Sequence, residues 1–251
     1  MKKPSIAHLR REYNASGHSE GHGRFNPLTL SQYWFQQALR ALAVVGREYR
    51  QNGLIEQKAP PTPLELFQKW FKEALRAKVL DPNAMTLATV TGSGKPAVRT
   101  VLLKGFDAHG FVFFTNYASQ KGRELAKRPR ASLLFFWPPL MQQVRIDGKV
   151  VRVSSKESDE YFQSRPRGSQ ISTWVSRQSQ VIPSREFLDR RARQFEKQFK
   201  GKPVPRPSYW GGFRLTPERM EFWSGRPNRL HDRLRYQKKS TGGWRLERLS
   251  P

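Results

Sequence analysis

Three groups of residues in this sequence are of types and spacings that could do chemistry. The first lies in 97–123, where Arg99, Lys104, Lys121 and Arg123 surround Ser119, a residue suited to starting a helix. Helix-start N–H groups with nearby cations favour an anion, so this group reads as a phosphate cradle. The second is Tyr161, Arg165 and Ser169, a phenol, a guanidinium and a hydroxyl near a helix end and a Gly turn. It could hold a second phosphate, with Arg165 bidentate and the other two as neutral donors. Around it, Gln142-Gln143 opens a strand and could offer amides to a planar heterocycle, while Gln178 and Ser179 add another amide and hydroxyl. The third is Arg229, His231 and Arg233. In a strand these three share a face, and two cations flanking a histidine suit an anionic substrate with a proton-handling group at its centre. Taken alone, the first group reads equally as a solvated strand edge with scattered bases, and the other groups taken singly read rather as surface salt-bridge networks.

The elements that must position these residues are mostly β. Short β-rich runs at 84–91, 97–104, 111–115, 131–137 and 143–153 are separated by Gly-, Pro- or Asp-containing turns. The runs 97–104 and 111–116 flank Asp107-Ala-His-Gly110, which reads as a hairpin turn. Helical stretches fall at 119–127, 156–164 and 184–200, and strand-like runs at 210–215, 220–223, 233–237 and 244–249 close the chain. Antiparallel strands with peripheral helices make an α+β architecture.

The N-terminal region repeats itself at a distance of 36 positions. Arg11-Glu12-Tyr13 falls on Arg47-Glu48-Tyr49, and Trp34-Phe35 falls on Trp70-Phe71. Each copy reads as a polar arm followed by an amphipathic helix, with stripes at Trp34, Phe35, Ala38, Leu39, Leu42 and at Phe67, Trp70, Phe71, Ala74, Leu75. Two copies are too few for a solenoid, so this is a local tandem duplication. The expected organisation is an arm region over 1–62 and one β-rich domain over 63–251.

Composition sets outer limits. Hydrophobic residues at 37%, with seven Trp and sixteen Phe, predict a folded chain. The absence of Cys removes disulfides and thiolate chemistry and suits a reducing cytoplasm. No signal peptide and no bilayer-length apolar run is evident, so a soluble protein without a membrane partner is expected. The net charge of +26 favours loose attraction to nucleic acid, but the bases are spread along the chain and follow no sequence-reading motif.

Taken together, the motifs resemble one family. The run Arg99-Thr-Val-Leu-Leu-Lys104, with Phe114-Thr115-Asn116, Gln143-Val144, Tyr161-Phe, Ser164-Arg165-Pro166, Gln178-Ser179, Trp210-Gly-Gly-Phe213, Glu221-Phe-Trp223 and Arg229-Leu-His-Asp-Arg233, is similar to pyridoxine/pyridoxamine 5′-phosphate oxidases. The resemblance covers roughly 63–251, and the arm Leu9-Arg-Arg-Glu-Tyr13 matches that family's N-terminal segment. It implies an antiparallel split β-barrel of the FMN-binding type, a homodimer with flavin at the subunit interface, and no metal. It also implies oxidation of phosphorylated B6 vitamers to the aldehyde, with O₂ as the final acceptor. The implied FMN contacts are Arg99, Lys104, Phe114, Thr115, Lys121, Gln143, Gln178, Ser179, Trp223 and Arg233. The implied substrate contacts are Lys104, Tyr161, Arg165, Ser169, Arg229 and His231, the last two being the catalytic pair. This chain departs from the family pattern at Gln120, where Arg is usual, at Ser172-Thr173, where Gly-Ala is usual, and at Ser224, where Gln is usual. A flavin- or haem-binding module without oxidase activity would keep the cradle but lack the Tyr161–Ser169 and Arg229–His231 sets. The arm is implied to close over the substrate, and the nearer copy, ending at Tyr49, is expected to take that role.

Overall fold

The structure is a computed structural model that describes residues 53–251. Both arm motifs and the first amphipathic helix therefore lie outside the described residues. Among the described residues nine strands and five α-helices make an α+β fold with a curled, antiparallel half-barrel sheet, which bears out the expected class. The strands pair in the order β2-β1-β5-β6-β7-β4-β3, with β8 joining β7 and β9 joining β8. Their ranges are β1 Ala84–Val90, β2 Pro96–Leu102, β3 Gly105–Asp107, β4 Gly110–Asn116, β5 Arg130–Trp137, β6 Gln142–Arg152, β7 Trp210–Ser224, β8 Asp232–Lys238 and β9 Trp244–Arg248. The helices are α1 Pro63–Arg76, α2 Gln120–Lys127, α3 Ser155–Gln163, α4 Arg167–Val175 and α5 Arg185–Phe199. The described chain divides into two compact units, one holding 85–133 and 147–218, the other 53–84, 134–146 and 219–251.

In the first unit the hairpin forms at the expected turn, with Asp107 paired to Gly110, but its first arm is β3 rather than β2. Gly110 adopts φ +132°, and the Asp107 carboxylate accepts from the His109 N–H at 2.9 Å, which closes the turn. Ser119 caps α2 as expected, accepting from Gly122 N–H at 3.3 Å. Gly122 is required there, since a Cβ would stand 2.3 Å from the Tyr117 carbonyl oxygen. A helix missed in sequence, α4, packs Ile171 and Val175 with Phe162, Phe199, Val204 and Trp210 in one buried cluster. Its apolar positions are few and its first turn is Arg-Gly-Ser, so the pattern gave only a weak helical signal.

In the second unit Thr62 caps α1 and Pro63 occupies its first turn. The helix buries Leu66, Phe67, Trp70, Phe71 and Ala74, close to the expected stripe. Phe67 meets Phe135 at 5.1 Å between ring centres, and Trp70 meets Phe222 edge-on at 5.3 Å. Replacing Phe67, fully buried, with Ala would cost about 3–5 kcal/mol. The runs expected separately at 210–215 and 220–223 are one strand. Along one edge β7 pairs residues 210–215 with β4 and 219–224 with β8, so Pro217 falls between partners, where its missing N–H costs that edge no ladder bond. Among the described residues no helix is long and apolar enough to cross a membrane.

Candidate functional site

The first unit brings ten of the fifteen expected site residues onto its strands, helices and connections. Thr115 on β4, Lys121 in the first turn of α2, and Gln178 after α4 converge. Gln178 Oε1 accepts from Thr115 Oγ1 at 3.2 Å and from Lys121 Nζ at 3.3 Å. Lys121 Nζ also lies 3.3 Å from Thr115 Oγ1. Ser179, at φ +71°, accepts the Gln120 N–H at 3.2 Å, one of the donors a helix start leaves open. Lys121 is buried, and both of those hydrogen bonds go to neutral oxygens. Burial first, and then the charge of Arg99, push its ammonium below the usual lysine value, against an opposing pull from Glu124.

Arg99 reaches across to Glu124 Oε2 at 3.0 Å and also donates to the Thr89 hydroxyl. Burial alone would raise the Glu124 carboxyl, but hydrogen bonds from Thr89, Gln120 and Arg99 outweigh it and hold the group below its usual value. Gln120, at the position of the departure from the family pattern, directs its amide to Glu124 Oε1 at 2.8 Å. Glu124 and Thr89 were not singled out in the sequence. The only signal was a carboxylate about one turn into a helix that starts with basic residues.

Beside Thr115, Phe114 stacks on Tyr161 with ring centres 3.9 Å apart and on Trp210 at 5.5 Å. Arg165 lies over the Trp210 ring at 4.6 Å and donates to Thr173 Oγ1 at 2.6 Å. Thr173 in turn donates to the Ser169 carbonyl at 3.0 Å. Tyr161, Arg165 and Ser169 thus gather around Trp210 and Thr173. Lys104, partly buried at the bend between β2 and β3, donates its own N–H to the Val112 carbonyl at 2.8 Å.

The second unit holds the remaining five, Gln143, Trp223, Arg229, His231 and Arg233. Here the expected strand alternation fails. Arg229 ends a short 3₁₀ turn, Pro227–Arg229, and β8 begins only at Asp232, so of the two cations and the histidine only Arg233 is in a strand. Pro227 starts the turn, and Asn228 and Arg229 take φ +57° and +60°, which no strand allows. Each such non-glycine residue costs about 1–3 kcal/mol of strain and persists only where its surroundings enforce it. His231 lies against the Trp223 ring at 4.7 Å, and its Nδ1 accepts the Arg226 N–H at 3.1 Å. Arg233 pairs with buried Glu221 at 2.9 Å and donates to the Ser250 carbonyl at 2.8 Å. A cavity of about 530 Å³ in this unit is lined by Leu54, Trp70, Glu73, Gln142 and Arg226 among others. None of the fifteen expected residues lines it.

A family model described as pyridoxamine 5′-phosphate oxidase matches residues 71–199, and one described as the pyridoxine 5′-phosphate oxidase C-terminal dimerisation region matches 210–251. The chain belongs to the pyridoxamine 5′-phosphate oxidase family. A pyridoxine/pyridoxamine 5′-phosphate oxidase of Rubrobacter xylanophilus is 56% identical over 98% of this chain and 96% of its own. One of Acaryochloris marina is 54% identical over the same shares. Among solved structures, PhzG of Burkholderia lata, in complex with tetrahydrophenazine-1-carboxylic acid, is 33% identical with a TM-score of 0.75, covering 80% of this chain and 98% of its own. An FMN-binding, pyridoxamine 5′-phosphate oxidase-related protein of Nostoc punctiforme, 18% identical, shares the fold at a TM-score of 0.61 over 76% of this chain and 98% of its own.

Proposed function

We propose that the chain oxidises pyridoxine 5′-phosphate and pyridoxamine 5′-phosphate to pyridoxal 5′-phosphate, using FMN and O₂. Hydrogen peroxide is released, with ammonia when the substrate is the amine. The observation that carries this reading is the pair of adjacent residues Phe114 and Thr115 on β4. Thr115 reaches the Lys121–Gln178 set while Phe114 stacks against Tyr161 and Trp210, beneath Arg165. One strand therefore joins two donor sets, each suited to a monophosphate, as a phosphorylated cofactor and a phosphorylated substrate require.

The residues fit FMN. A buried ammonium bonded to neutral oxygens and a capped helix start with a second hydroxyl beside it form a donor set for a phosphate. Thr115, Lys121, Gln178 and Ser179 would hold that phosphate, with Arg99, Lys104 and Phe114 nearby. Gln143, Trp223 and Arg233 would complete the contacts at the interface of a homodimer, which the matched dimerisation region supports. When bound, FMN supplies the redox chemistry, taking two electrons from C4′ and passing them to O₂.

Arg165, Tyr161 and Ser169 would bind the substrate phosphate, with the guanidinium held over Trp210. Arg229 would stabilise charge developing near C4′. His231 accepts the Arg226 N–H at Nδ1, which leaves Nε2 free to meet the substrate, and it would orient the substrate there. The β-rich domain over 63–251 then works with the arm as a lid, in the cytoplasm.

The test is paired substitution. Arg229→Leu should lower kcat/KM for pyridoxine 5′-phosphate by about 2–4 kcal/mol of transition-state stabilisation, and His231→Ala should also lower turnover. Both should keep FMN bound. Unchanged kinetics in both would remove the pair from the site, and FAD as the main species released on denaturation would remove FMN.

A further inference from the structure

The loop that carries Arg229 and His231 is strained, since Asn228 and Arg229 in succession occupy the left-handed region at φ +57° and +60°. Something must hold it so. Its backbone is tied by Gly225 N–H to the Met141 carbonyl at 2.8 Å, and by Leu230 N–H to the Pro227 carbonyl at 3.2 Å. Its side-chain tie is Asp232, the residue between His231 and Arg233. The carboxylate accepts from Arg226 Nε at 2.9 Å, from Leu54 N–H at 3.2 Å and from Arg248 at 2.8 Å. Arg226 is therefore held twice, by its guanidinium on Asp232 and by its own N–H on His231 Nδ1. Arg248 extends the tie, gripping Glu56 at 2.8 Å and the Leu54 carbonyl. Gly53 leaves room for it, since a Cβ there would stand 2.4 Å from Arg226 Nη2 and 3.1 Å from Asp232 Oδ2.

We infer that Asp232, through Arg226, is a positioning residue for the oxidation. It fixes the strained loop so that Arg229 and His231 meet the substrate, and it fastens the segment 53–56 to the same loop. This inference rests on the assignment of Arg229 and His231 to the substrate. Asp232 itself touches no substrate. A carboxylate with three donors from three parts of the chain holds geometry in a way that a solvated side chain does not.

The experiment compares Asp232→Asn, Gly53→Ala and Arg229→Leu in the full-length, FMN-loaded protein, with pyridoxine 5′-phosphate as substrate. Asp232→Asn removes the charge and keeps the shape. Gly53→Ala keeps the carboxylate and displaces the flexible end of Arg226, so it tests the tie without altering charge. Each should lower kcat at least fivefold, with FMN affinity, read by flavin fluorescence on titrating the apoprotein, within twofold of the parent. The Asp232→Asn/Gly53→Ala double variant should fall no more than twofold below the worse single one, because both break one tie. Several results would overturn the inference. One is kcat within twofold of the parent in Asp232→Asn and Gly53→Ala while Arg229→Leu is strongly impaired. Another is a loss mirrored in FMN affinity, which would assign Asp232 to general strand stability. A third is losses that multiply in the double variant. Unimpaired Arg229→Leu would overturn the substrate assignment itself, and this inference with it.

Discussion

At the scale of single residues, the proposed substrate-phosphate set turns on one hydroxyl. Thr173, buried, accepts from Arg165 at 2.6 Å and donates to the Ser169 carbonyl, so it bridges two of the three residues assigned to the phosphate. Thr173→Val keeps the volume and removes the bridge. The lost bond is worth about 1 kcal/mol, so KM for pyridoxine 5′-phosphate should rise about fivefold while kcat is kept. An unchanged KM would show that the Trp210 ring alone sets the guanidinium. The types and order of the proposed site residues can be read from the sequence alone, because phosphate chemistry demands Arg, Lys, Tyr and Ser. Their supports were not. Thr173, Glu124 and Asp232 act through contacts made 8, 25 and 178 positions away in the chain, and no periodicity reports such pairs.

At the scale of elements, α2 depends on a carboxylate. Glu124 gathers Thr89, Arg99 and Gln120 around the helix, and these contacts hold its carboxyl below the usual glutamate value of about 4.3. The folded state thus binds this proton more weakly than the unfolded chain does. The resulting stability is present above about pH 4.3 and is lost as pH falls through the lower folded value. Glu124→Gln should therefore lower the thermal midpoint at pH 7, and the gap between parent and variant should narrow on acidification toward pH 3. A gap constant with pH would mean that Glu124 contributes shape and no charge.

Hairpin, helix cap and the α1 stripe followed from turn residues, Ser119 and apolar spacing, all local signals. The Arg229–Arg233 stretch misled because period-two spacing is also produced by chance in a turn. Only Pro227 and the left-handed Asn228 reveal that the strand has not begun.

At the scale of the whole molecule, the duplicated arm is the open variable. The relatives from Rubrobacter and Acaryochloris align over 98% of this chain and 96% of their own, so its N-terminal length is shared with them. Deleting residues 11–46 joins Leu9-Arg10 to Arg47-Glu48-Tyr49 and restores one intact arm. The α1 stripe, the Asp232 tie and all fifteen expected site residues lie within 53–251 and survive the deletion. The shortened protein should fold, bind FMN and turn over at least as fast as the parent. Insolubility or inactivity would make the first copy part of the fold.

The most direct test of the central claim is product stoichiometry in the purified, FMN-loaded protein. With pyridoxine 5′-phosphate in air, one pyridoxal 5′-phosphate should form per O₂ consumed and per hydrogen peroxide released. A folded, FMN-loaded protein that forms no aldehyde from either pyridoxine 5′-phosphate or pyridoxamine 5′-phosphate would contradict the account.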